Sequence, residues 1–140
     1  MLARGADSLV IDGNAAVNAA LVQDAFAGWG GVRLHAPTLL WSEAASGISQ
    51  LRWRGEISDD AALAAIDRLL KAPISLVPSS ELIAEATALA RGLGWAKTYD
   101  AEYVVLARRL GVPLVTVDAR LAATARQHVT VVSPAEVAGG

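Results

Sequence analysis

The chain contains no cysteine, which removes disulfides and thiolate metal sites from consideration. Its two histidines, His35 and His128, are too few and too isolated for a zinc site or a nucleophile–base pair. No apolar run approaches the roughly 18 residues of a membrane span. The opening stretch Met1-Leu2-Ala3-Arg4-Gly5-Ala6-Asp7 lacks the apolar core of a signal peptide. A cytoplasmic protein without membrane attachment is therefore expected. Glycine-rich phosphate loops are missing too: Gly28-Trp29-Gly30-Gly31 has neither Walker nor dinucleotide spacing, and no serine sits in a nucleophile elbow. Neither sign of charge is in large excess, with a net value of −2. That disfavours tight nonspecific binding to nucleic acid, although a local basic strip survives the average.

What is present is alanine, and short β-branched runs between helix-compatible segments. Apolar residues make up 54% of 140, enough for one domain, residues 1–140, to bury a real core. Leu9-Val10-Ile11 reads as a buried strand. A helix is expected over Ala15 to Phe26, then a short strand at Val32-Arg33-Leu34-His35. Pro37-Thr38 opens a second helix that runs to about Arg54 and stops at Gly55. Ser58 caps a third, with Leu63, Ile66, Leu69 and Leu70 as its apolar face, and Pro73 ends it. Ile74-Ser75-Leu76-Val77 is strand-like, and Ser79/Ser80 caps a helix bearing Leu82, Ala86, Leu89, Ala90 and Leu93. A helix from about Asp100 to Leu110, a strand Leu114–Val117, a short helix Ala119 to Arg126 and a strand Val129–Val132 complete the chain. Repeats, linkers and low-complexity segments are absent, apart from the alanine bias and a soft Gly139-Gly140 tail. The alternation argues for an α/β fold with a short, mostly parallel central sheet flanked by helices.

Most of the acids look like solvated charges, but four do not. Asp12 and Asp118 each terminate a core strand, which puts both on one rim of a parallel sheet, where such folds present functional groups. Each also fits a helix N-cap. Asp100 opens a helix, and a cap or first-turn acid accounts for it equally well. Glu43 is harder to explain, because Leu39, Leu40, Ser46 and Gly47 surround it at helical spacing. Buried without compensation, it would cost several kcal/mol or take up a proton. A hard divalent cation compensates such a group, since Mg²⁺ takes carboxylate oxygens, keeps waters and binds phosphate. Carboxylates crowded on one rim thus suggest metal-assisted phosphodiester chemistry. Asn14 and Thr116 flank the acids and are candidates to orient ligands or water; a helix-start residue and a strand former explain them equally well.

Four stretches carry a resemblance, in order along nearly the whole chain: Val10-Ile11-Asp12-Gly13-Asn14, Pro37-Thr38-Leu39-Leu40-Trp41-Ser42-Glu43, Thr98-Tyr99-Asp100-Ala101-Glu102-Tyr103-Val104-Val105-Leu106-Ala107, and Leu114-Val115-Thr116-Val117-Asp118-Ala119-Arg120-Leu121. Together they resemble the PIN-domain family and, within it, the VapC-type toxins of bacterial toxin–antitoxin pairs. The resemblance implies a PIN fold, an endoribonuclease dependent on Mg²⁺ or Mn²⁺, a homodimer and inhibition by a cognate antitoxin protein. By position it implies an acidic metal cluster of Asp12, Glu43, Asp100 and Asp118 acting on RNA. Gly13-Asn14 departs from the family's more usual small residue followed by Ser or Thr.

Arg52, Trp53 and Arg54, and Lys97 before Asp100, are candidate contacts for RNA phosphates or bases. Solvated charge and a packed Trp explain them at least as well. Trp41, Trp53, Leu63 and Leu70 exceed what one small core needs, which suggests an interface. Two other readings compete. A catalytically silent RNA- or protein-binding module has no need of four acids that oppose phosphate. A receiver-type phosphoacceptor needs a late lysine, and none follows Lys97.

Overall fold

The computed structural model describes residues 7–139; the opening Met1–Ala6 and Gly140 of the expected tail lie outside them. Five strands, β1 (Ser8–Ile11), β2 (Arg33–Pro37), β3 (Ile74–Val77), β4 (Leu114–Val115) and β5 (Val131–Val132), form one sheet in the order β3-β2-β1-β4-β5. Every pairing is parallel, so helices must make the crossovers. They are α1 (Gly13–Ala20), α2 (Leu39–Trp53), α3 (Asp59–Lys71), α4 (Ile83–Leu93), α5 (Tyr99–Leu110), α6 (Ala119–Ala125) and α7 (Pro134–Gly139). The α/β expectation with a parallel sheet holds.

β1 is the middle strand because its three apolar residues can tolerate burial on both faces. Leu9, Val10 and Ile11 have no solvent exposure. Alanines line the buried helix faces, among them Ala15, Ala16, Ala20, Ala44, Ala65, Ala86 and Ala101, all fully buried. Small side chains let helix backbones approach closely, and larger groups such as Leu34, Leu40, Ile48, Leu69 and Tyr103 fill the remainder. The chain leaves β1 toward β2 and β3, then returns to place β4 on the other side of β1. That reversal opens a crevice beyond the carboxyl ends of β1 and β4.

Several element ends differ from the sequence reading. Helix α1 stops at Ala20 rather than Phe26, where Arg68 of α3 donates to the Ala20 carbonyl at 2.6 Å. Asp24 then takes a left-handed φ of 60°, and a 3₁₀ turn occupies Ala27–Trp29. β4 ends at Val115, because the Thr116 hydroxyl turns to accept the Asp118 N–H at 3.0 Å. The last strand shortens to Val131–Val132, and Gly139 closes a helix rather than a soft tail. On α3 the buried face is Ala62, Ala65 and Leu69, whereas Leu63 and Leu70 point outward at 69% and 65% exposure.

Thr38 and Ser79/Ser80 do not cap their own helices. Ser79 accepts from the α2 N–H of Leu39 at 3.2 Å, while the Thr38 hydroxyl accepts from the Ser79 N–H at 3.0 Å. This reciprocal pair ties the ends of β2 and β3 together. Ser79→Ala should therefore lower stability by about 1 kcal/mol, with Ser80→Ala within about 0.5 kcal/mol of the parent. Urea unfolding midpoints measure both; a larger loss for Ser80→Ala would contradict the assignment.

Candidate active site

Asp12 follows β1 immediately and starts α1. Its Oδ1 accepts the Ala15 N–H at 2.9 Å, so it is a true N-cap. Its Oδ2 accepts the Thr116 hydroxyl at 2.5 Å. Thr116 thus joins the strand ends from both directions, donating to Asp12 and accepting from the Asp118 backbone. Asp118 caps α6 through Arg120 and Leu121 N–H groups at 2.9 and 3.1 Å. Both strand-terminal acids are therefore caps and rim carboxylates at once.

Glu43 projects from α2 toward this rim, half-buried. The Tyr103 hydroxyl of α5 donates to its Oε1 at 2.5 Å. Gly13 makes room for it: a Cβ there would lie 3.1 Å from the Glu43 Oε1 and 3.2 Å from its Cβ. A Cβ at position 13 would require Glu43 to shift by a few tenths of an ångström, which gives Gly13 a steric reason. Asp100 sits in the first turn of α5 and reaches solvent. Asn14 is exposed beside Asp12, and Thr116 is buried.

Electrostatics couple the acids. Burial pushes Asp12 up to about 6 against the hydrogen bonds from Thr116 and Ala15, and the charges of Asp100 and Glu43 add to the rise. Glu43 is raised by burial and by the Asp100 and Glu102 charges, with the Tyr103 hydroxyl opposing. Asp100 is raised by the desolvation it does suffer and by Asp118. Burial and the Glu43 charge hold Tyr103 far above the ordinary phenol range, so it stays a neutral donor.

Two adjoining clefts display these groups. One of about 430 Å³ is lined by Asp12, Asn14, Glu43 and Asp100; another of about 510 Å³ is lined by Glu43, Asp100 and Asp118. Among the described residues, no three acids or histidines converge tightly enough to cage an ion as they stand. Mg²⁺ does not require such a cage, because it retains waters and uses one or two carboxylates plus substrate phosphate. Hard oxygen donors whose charges already oppose one another suit such an ion.

Sequence reasoning missed Tyr103 as the partner of Glu43, though its place one helical turn after Asp100 was a readable signal. It also missed Glu102, which is buried with its Oε1 lacking a hydrogen-bond partner. Arg52 and Arg54 are held in exposed ion pairs with Asp59 and Glu56, and Trp53 is 81% exposed rather than packed.

The family model of the PIN domain matches residues 9–127. Ribonuclease VapC1 of Mycobacterium tuberculosis, in strains CDC 1551 / Oshkosh and ATCC 25618 / H37Rv, is 37% identical over 118 residues. The match covers 76% of this chain and 87% of that protein. Among solved structures, PAE2754 from Pyrobaculum aerophilum superposes with a TM-score of 0.75 at 22% identity, over 96% of this chain and 92% of that one. FitAB bound to an IR36 DNA fragment gives 0.56 at 13% identity, over 90% and 94%. These two structural likenesses concern the fold.

The raised pKa of Asp12 sets a direction for stability. The folded state binds its proton more tightly than the unfolded chain, whose carboxyl titrates near 3.8. The stability contributed by protonation is complete below that value and is lost as pH climbs through about 6. At pH 7 the ionised group costs roughly 3 kcal/mol. Without metal, Asp12→Asn should therefore gain up to about 3 kcal/mol at pH 7 and flatten the decline between pH 4 and 6. Unfolding at several pH values in EDTA measures this; a variant less stable than its parent at pH 7 would contradict it.

Proposed function

We propose, from the premise that the chain belongs to the PIN domain family, that it is a metal-dependent endoribonuclease serving as the toxin of a toxin–antitoxin pair. The observation that carries the reading is the electrostatic coupling of Asp12, Glu43 and Asp100 along one sheet rim, with Asp118 coupled to Asp100. The 37% identity to Ribonuclease VapC1 supports RNA as the substrate.

In this reading Asp12, Glu43, Asp100 and Asp118 hold Mg²⁺ or Mn²⁺. Such an ion supplies charge neutralisation at a phosphodiester and acidifies water for attack. The protein's own contribution is placement. Thr116 and the Ala15 N–H fix the Asp12 carboxylate, Tyr103 fixes Glu43, and Asn14 stands at the mouth to orient water or phosphate. Rigid placement matters because small displacements of reacting groups cost orders of magnitude in rate.

The partner assignments belong to the same proposal. Trp53, Leu63 and Leu70 are exposed large apolar groups, while Trp41 is partly buried against the core. Exposed apolar surface of this kind supports a homodimer. An apolar groove of about 470 Å³ between α2 and α3, lined by Ala45, Ile48, Ala62, Leu63 and Ile66, supports an antitoxin segment. With RNA as substrate the site of action is the cytoplasm. Among the described residues, no helix is long and apolar enough to cross a membrane.

The runner-up is a catalytically silent binding module, favoured by the lack of three converging ligands among the described residues. Cleavage separates the two. Glu43→Gln keeps an acceptor for Tyr103 and removes one repelling charge, so the fold should stay intact by circular dichroism. Metal-dependent cutting of total RNA, followed by end-mapping, should fall about 100-fold or more. Parent activity that survives EDTA, or a Glu43→Gln protein that cuts as fast as its parent, would refute the mechanism.

A further inference from the structure

The two clefts on either side of the acids differ in chemistry, and neither difference is used by the metal site. In the larger one, Lys97 and Arg120 face the same space as Asp100 and Asp118, with Trp95 and Tyr99 beside them. Among the described residues, neither cation's side chain has an ion pair or hydrogen bond. Arg52, Arg54, Lys71, Arg108 and Arg109 each sit on a carboxylate; among the other cations without such a partner, Lys97 and Arg120 are the ones that line the acidic clefts. Two unengaged cations beside acids are what a phosphate backbone requires in order to approach a negative rim. Tyr99 is 50% exposed at the start of α5 and borders both clefts, so its ring offers a stacking face for an unpaired base.

Among the described residues, no cation lines the smaller cleft. Besides the acids, its polar lining is Asn14, Ser42, Ser46 and Gln50. Ser42, Ser46 and Gln50 recur every four residues along α2, which places them on one helix face. All three are exposed, and their side chains have no hydrogen-bond partner among the described residues. A phosphate entering here would meet only negative charge. An uncharged base edge would meet hydroxyls and an amide that both donates and accepts.

We propose that a single RNA strand crosses the rim in a fixed sense, its backbone held by Lys97 and Arg120 with a base on Tyr99, and that Gln50 and Ser46 read a base on the other side of the cut. The assignment deepens the nuclease reading and rests on it. The cationic side supplies affinity without regard to sequence, and the neutral side supplies choice of base.

Binding and cutting test the two sides separately. Fluorescence anisotropy with labelled single-stranded RNA oligomers, in the Glu43→Gln background with Mg²⁺, reads the first. Adding Lys97→Ala and Arg120→Ala together should weaken binding about tenfold or more for every sequence. It should also make the plot of log K against log salt shallower by about 1.4, at roughly 0.7 per lost contact. End-mapping on a randomised RNA pool reads the second: Gln50→Ala and Ser46→Ala, each made in the parent, should flatten the base preference at one position beside the cut by about tenfold. An unchanged salt slope overturns the cationic side. A parent without base preference, or variants that retain the parent's preference, overturns the neutral side. The underlying nuclease reading fails by a different result, a parent that cuts no RNA with Mg²⁺ or Mn²⁺.

Discussion

A carboxylate buried at the end of the central strand is the constraint on which the structure turns. Asp12 is 3% exposed, and an ionised group at that depth persists only if its oxygens are engaged. One oxygen takes the Ala15 N–H, which fixes where α1 begins; the other takes the Thr116 hydroxyl, which fixes where β4 ends. The same threonine accepts from the Asp118 backbone and so sets the position of the second rim acid. One side chain therefore organises the crevice between β1 and β4 and supplies part of its charge.

The arrangement costs stability. Asp12, Glu43 and Asp100 all have raised pKa values, and in each case burial is the first cause and a neighbouring carboxylate adds to it. The hydrogen bonds offset the cost without removing it, since Asp12 remains near 6. A cost of this kind, concentrated where a cation would relieve it, supports the proposed metal role of the rim.

The sequence revealed the elements whose cause is local. Leu9-Val10-Ile11 has no polar interruption, Ser58 precedes two first-turn acids, and Gly55, Gly94 and Gly111 adopt the left-handed backbone that ends their helices. Asp12 and Asp118 stood out because they follow β-runs and Glu43 because it sits near leucines, whereas Asp100 stood out mainly by its place in the family resemblance. What stayed hidden depends on partners distant in the chain. Arg68 ends α1 from 48 residues away, Ser79 and Thr38 exchange caps across 41, Tyr103 meets Glu43 across 60, and Thr116 reaches Asp12 across 104. No local pattern encodes such pairs. The outward turn of Leu63 and Leu70 belongs to the same class, since helical spacing shows that a face is apolar without showing which part of it α1 and α2 cover.

Titration calorimetry of the metal-free protein with Mg²⁺ and Mn²⁺ tests the central claim most directly. Saturable binding to the parent is expected, accompanied by a higher melting temperature as carboxylate repulsion is relieved, with markedly weaker binding to Asp12→Asn. Absence of binding to the parent, or equal binding to parent and Asp12→Asn, would contradict it.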